Sequence, residues 1–159
     1  MPTPAQNAQL RNAELGFQVA RASSLVAQSL TSMFTITGGR IYVNALYGKL
    51  TIASDASNAT SIVLGFTATE GAGANISNAV ATATVVGVVR EIGTHWTVAA
   101  LASALTLGAT AATPVPKTTP FLLGPGSITY TGSVGVNPGS VAWYLNYTPL
   151  DNAATVVAV

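Results

Sequence analysis

Charge is what this 159-residue chain has least of. Six Lys and Arg and five Asp and Glu make up 7% of the residues, against about 25% in an ordinary soluble domain. A domain of this size leaves roughly 30% of its unfolded surface exposed and normally covers it with charged side chains. Here Thr, Ser, Asn, Gly and Ala must do that work, and a formal net charge of +1 does little to keep copies apart. Such a coat suits a protein that sits against other protein in many copies.

Other absences narrow the chemistry. There is no cysteine, which removes disulfides, thiolate metal sites and cysteine nucleophiles together, and leaves the redox compartment open. The opening MPTPAQNAQLRNAE has neither a basic n-region nor an apolar h-region, so no secretory signal is expected. The nearest thing to a long apolar run, residues 96–112, is interrupted by Thr97, Ser103, Thr106 and Thr110. It is short of the ~20 apolar residues of a spanning helix, so no membrane partner is expected. The basic residues Arg11, Arg21, Arg40, Lys49, Arg90 and Lys117 are scattered singly, whereas phosphate binding needs converging cations. No nucleic-acid partner is expected either.

Catalytic constellations are equally thin. His95 is the one histidine; a Ser-His-Asp triad would have to use it with Asp55 or Asp151, and no Gly-x-Ser-x-Gly elbow is present. The carboxylates Glu14, Asp55, Glu70, Glu91 and Asp151 are spread along the chain. Asp55 and Glu70 would be the candidates for a glycosidase-type pair, yet each stands in or near a Gly/Ser/Asn-rich turn where a solvated acid needs no special account. One His and scattered acids give no chelate spacing. The GAGAN stretch at 71–75 lacks the Lys-Ser/Thr ending of a phosphate loop and is expected as a hairpin tip. The Asn-x-Ser/Thr triplets at Asn58, Asn75 and Asn146 arise by chance in so Asn/Ser/Thr-rich a chain. The expectation is a protein that is not an enzyme, with no catalytic, cofactor or metal site.

What is present is β-pattern. The first thirty-odd residues stand apart, with Gln6, Gln9, Gln18 and Gln28 and few aromatics or glycines. Leu15, Val19, Ala22, Val26, Leu30 and Met33 fall at helical spacing, while Leu15, Phe17 and Val19 also alternate as in a strand. This segment, 1–32, is expected as an extended or partly helical arm, free at the terminus or lying on a neighbouring subunit, ahead of a domain over 33–159. From Met33 the period becomes two. FTIT, then Gly38-Gly39, then RIYV predicts a hairpin, because a Gly pair supplies the positive φ of tight turns. Its second strand is expected to run to Ile52, with Ile41, Val43, Ala45 and Tyr47 on one face and Tyr42, Leu46, Leu50 and Ile52 on the other. A strand apolar on both faces is covered on both faces. Further strands are expected at 61–67, 82–92, 96–107, 127–131 and 140–147, with Trp143, Leu145 and Tyr147 sharing a core face. Short strands separated by Gly, Pro and Asn turns, with a Pro-rich loop at 113–120, predict an all-β antiparallel sandwich or jelly roll.

Two blocks of sequence carry a resemblance. The first is LGFQVAR at 15–21, leading to MFTITGGRIYV at 33–43 and GKLT at 48–51. The second is GPGSIT at 124–129 with NPGSVAWYLNYTPLDNAAT at 137–155. Together they resemble a group of small virion proteins of tailed bacteriophages, with a Phe-led strand into a double glycine near the start and a tryptophan strand closing on a Tyr-x-Pro-Leu-Asp sequence near the end. The middle of the chain, roughly 58–119, matches only in character. The resemblance brings no catalytic motif. It implies a capsid- or tail-associated structural role in the virion, in the first place that of a capsid decoration (cement) protein. Such a protein would be made in the host cytoplasm, act as a homotrimer and have the major capsid protein as partner. The alternatives are a tail, baseplate or head-fibre component, or a glycan-binding β-sandwich using Trp96, Trp143, Tyr144 and Tyr147 as a stacking platform.

Overall fold

The computed structural model describes residues 6, 12, 16–26, 29–52, 61–70, 73–76, 80–81, 89–92, 121–133 and 139–159. Among these residues eleven strands form two antiparallel sheets, as the alternating pattern predicts. In one, β1 (Phe17–Leu25) pairs with β10 (Ser140–Pro149), β10 with β3 (Ile41–Ile52), and β3 in turn with β7 (Val89–Ile92) and β8 (Phe121–Leu123). In the other the order is β11 (Thr155–Ala158), β2 (Thr31–Thr37), β9 (Gly126–Gly132), β4 (Ser61–Ala68), with β4 flanked by β5 (Ala74–Asn75) and β6 (Val80–Ala81). We refer to them as the Trp143 sheet and the Thr sheet.

A single apolar core lies between them. The Thr sheet supplies Met33, Phe34, Ile36, Leu64, Ile128 and Tyr130; the Trp143 sheet supplies Ile41, Leu46, Leu50, Trp143, Leu145 and Tyr147, all buried. The expected core face of β10 is therefore observed. The Tyr130 and Trp143 rings stack across the core at 6.3 Å, and the Tyr130 hydroxyl donates to the Leu25 carbonyl on the facing sheet. That bond satisfies a polar group which burial would otherwise penalise.

Three sequence expectations meet a different outcome. Gly38 and Gly39 do take positive φ, +75° and +155°, but β2 and β3 do not pair with each other. β2 lies in the Thr sheet and β3 in the Trp143 sheet, so the double glycine is an arch between sheets and not a hairpin. It is stacked on a second arch, residues 150–154, which carries the chain back from β10 to β11. A Cβ at Gly38 would stand 2.0 Å from the Ala153 carbonyl oxygen, and one at Gly39 2.5 Å from the Asp151 Cβ. The glycines serve this close approach as much as the turn itself.

The second concerns β3. Its pairing with β10 skips Asn44: Asn146 faces Ala45, and the next residue, Tyr147, faces Val43. The extra residue is a β-bulge, which reverses the phase of the strand. Ile41 and Val43 point into the core on one side of it, and Leu46, Gly48 and Leu50 on the other. The two apolar faces read from the sequence are one face interrupted by a bulge, and the exposed Asn44 amide donates to the Thr148 hydroxyl.

Third, residues 17–25 of the segment expected as an arm form β1, an edge strand of the Trp143 sheet with a register break between Arg21 and Ser24. Just before it, Gly16 at φ +77° donates its N–H to the carbonyl of Asn12, itself helical. Of the other expected strands, 61–67, 127–131 and 140–147 correspond to β4, β9 and β10. From 82–92 only 89–92 is described, and 96–107 with the 113–120 loop lies outside the described residues.

Candidate functional site

Among the described residues, those with catalytic potential do not converge. His95, Asp55, Glu14 and Trp96 lie outside the described residues, as does the apolar run 96–112. Glu91 falls on β7, and Glu70 is exposed in the turn after β4. Asp151 is engaged elsewhere. Its carboxylate accepts from the Arg40 backbone N–H at 2.7 Å, from Arg40 Nε at 3.0 Å and from Nη2 at 3.0 Å. These charge-assisted bonds, the side-chain ones first, hold the Asp151 carboxyl down at about 2 and raise the Arg40 guanidinium further above its ordinary range. The pair fastens the two stacked arches together, with Leu150 N–H donating to the Arg40 carbonyl beside it. Among the described residues no group of three or more His, Cys, Asp or Glu could hold a metal ion, and no helix is long and apolar enough to cross a membrane.

The aromatic residues divide by face. Trp143 and Tyr147 are core residues, 3% and 7% exposed, so neither can offer a ring to a sugar. Tyr144 points outward, but its ring stacks on Tyr47 across the β10–β3 pair at 4.9 Å and 13°. Gln18 Nε2 donates to the Tyr47 hydroxyl. Periodicity places Tyr144 outside; it cannot supply its partner, which comes from a strand 97 positions earlier. The Asn146 side chain lies in this same sheet between Gln18 and Ala45, with Oδ1 buried, a poor acceptor position for a glycan. Asn75 is exposed and Asn58 is outside the described residues.

The Thr sheet is the larger surface feature. Its strands read TVVA, TSMFTIT, GSITYTG, SIVLGFTA, AN and VA, without one Lys, Arg, Asp, Glu or His. The side facing away from the core is laid out in rows by the strand register. Thr155 stands beside Thr37, their hydroxyls 3.0 Å apart. Val157, Thr35, Ser127 and Thr67 form the next row, and Ser32, Thr129 and Gly65 the one after. A Cβ on Gly65 would come 2.8 Å from Thr129 Oγ1, so the missing side chain makes room for that hydroxyl, which is buried without a hydrogen-bond partner among the described residues. Exposed apolar side chains gather where the two sheets end on the same side. Phe17 on β1 is 43% exposed, and Val157 and Val159 on and after β11 are 60% and 61% exposed. Arg21 bridges this side: its guanidinium lies 6.0 Å from the Tyr130 ring centre, and Nε donates to the Val159 carbonyl.

Chemically, this arrangement offers hydroxyls, methyl groups and free sheet edge, which suit packing against protein and supply no acid, base or nucleophile at a cleft. No protein-family model, no curated protein and no solved structure matches the chain.

Proposed function

We propose that this chain is a structural subunit of a tailed-phage virion, of the capsid decoration (cement) kind, clamping neighbouring major capsid subunits as a homo-oligomer. The observation that carries this reading is the Thr sheet, whose strands hold no charged residue at all. An outward face of that composition has a low desolvation cost against another protein and opposes no neighbour by like charge. The resemblance of the 15–51 and 124–155 blocks to small virion proteins points the same way. Strength would come from number. Each contact can remain at the weak end, below about 1,200 Å², because copies linked through one shell act together.

Immunogold labelling of purified particles of the encoding phage tests this. Even labelling over the head supports the decoration role. Labelling confined to the tail moves the chain to the tail machinery, and absence from intact particles removes the virion reading. A contribution of the N-terminal segment to capsid binding is measured by removing residues 1–15 only, since a longer deletion takes away β1 and uncovers β10. Capsid binding unchanged by that truncation would exclude the segment as the lateral contact.

A further inference from the structure

A sandwich has open sheet edges, and natural proteins shield them with short strands, bulges, charge or proline. Most edges here are shielded in that way. β5 and β6 are two residues each and β8 three, and the four-residue β7 carries Arg90 and Glu91. β1 is longer, but its register breaks between Arg21 and Ser24 and it carries the Arg21 charge. β11 differs. It ends the Thr sheet, pairs among the described residues only with β2, and keeps an unbroken register from Thr155 to Ala158. Its sequence TVVA has no charge, proline or glycine, and Val157 and Val159 are about three-fifths exposed. No charge or proline within the strand opposes the addition of another, and Arg21 of β1 reaches it at the Val159 carbonyl.

We infer that the occupant of this edge is β11 of a second copy of the chain, paired antiparallel about a twofold axis through Val157. The sequence is self-complementary in that arrangement. Val157 meets Val157 of the partner subunit, and Thr155 meets Val159 of the partner subunit. All three are β-branched, the side chains that stabilise directly opposed pairs on a sheet, and no charge meets a like charge. β1 of a second copy makes a poorer occupant, because its break and its Arg21 interrupt the ladder. Pairing through β11 also continues the row Val157–Thr35–Ser127 into the second copy, so that two uncharged faces become one. A contact of this type is isologous and closes as a dimer. It is independent of the virion reading, since the edge is the same whatever the protein does.

Light scattering on the eluting full-length chain gives the mass directly. Twice the 16.0 kDa of one chain, or an even multiple, is expected; a monomer or a trimer overturns the inference. Val157→Lys should halve the mass with an unchanged far-ultraviolet circular dichroism spectrum, and Val157→Thr should leave it unaltered. An assembly that survives Val157→Lys excludes this edge. Because the chain has no cysteine, Val157→Cys provides a readout that does not depend on tolerating lysine. Opposed residues in an antiparallel pair lie about 4.5–5.5 Å apart at Cα, within disulfide reach. Mild oxidation should link Val157→Cys into a covalent dimer and leave Glu70→Cys unlinked; equal linking of both, or of neither, counts against the pairing.

Discussion

Gly48 lies directly opposite Trp143 on the core side of the β3–β10 pair, and the indole occupies the volume a side chain at Gly48 would need. A Cβ there would come 2.9 Å from Trp143 Cζ3 and 2.8 Å from Val141 Cγ1. Gly48→Ala therefore overpacks the centre of the core, at a cost of about 1–3 kcal/mol. In a chain of this length each kcal/mol lowers Tm by roughly 2–4 °C. Trp143→Phe should destabilise the native protein but cost less when Gly48→Ala is already present. Thermal melts of the two single variants and the double variant measure that coupling, and strictly additive losses would contradict the contact.

At the stacked arches the constraint is backbone against backbone. Gly38 has φ +75°, and the carbonyl oxygen of Ala153 would be 2.0 Å from an added Cβ. No side-chain rotation relieves that contact, and the left-handed conformation alone costs a non-glycine residue about 1–2 kcal/mol. Gly38→Ala is expected to lower stability more than Gly48→Ala. Gly124→Ala is the control: nothing lies within 4 Å of its added Cβ, so it should stay within about 0.5–1 kcal/mol of the parent. Equal effects at the two positions, measured by urea unfolding, would rule out the clash.

The Arg40–Asp151 pair sets an acid dependence with a defined sign. The Asp151 carboxyl is held at about 2, below its ordinary value of 3.8. A depressed carboxyl stabilises the fold above the ordinary value and loses that contribution as pH falls through the folded one. The parent should thus lose stability between about pH 4 and pH 2, and Asp151→Asn should be flatter across that window and less stable than the parent at neutral pH. Because both side chains are solvent-exposed, 61% and 36%, added salt should shrink the difference. Parallel melting curves for the two proteins from pH 6 to about pH 2 would refute the assignment.

How far the sequence speaks depends on whether a feature is local. Alternation in Ile62, Leu64 and Phe66, and in Trp143, Leu145 and Tyr147, is local, and those strands and their inward faces are where it puts them. The Gly38-Gly39 pair announces a change of direction but not which strand receives the chain. The contact that holds the turn as an arch joins Arg40 to Asp151, 111 positions apart in the sequence, and the hairpin pattern contains no sign of it. β11 is missed because four residues carry too little period to read. The charge deficit is plain in the composition, but its concentration in one sheet depends on which strands neighbour which. The same is true of Tyr144, whose outward direction is legible while its stacking on Tyr47 is not.

The bulge at Asn44 is the sharpest case, because one extra residue makes a one-sided strand look apolar on both faces. Deleting Asn44 would restore an uninterrupted register with β10. Val43 and Leu46 would then stand two positions apart, so Ile41 and Val43 stay on the same core face as Leu46 and Leu50. Asn44 is itself exposed and its amide donates to the surface hydroxyl of Thr148, so Asn44→Ala should change stability by no more than about 0.5–1 kcal/mol. The deletion keeps the same side chains buried and should likewise be tolerated, well short of the roughly 2–5 kcal/mol that removing core side chains costs. Denaturant unfolding of the two variants separates the residue's side chain from its place in the backbone. A deletion that costs on the order of 2–5 kcal/mol would mean that β3 pairs with β10 without the phase change.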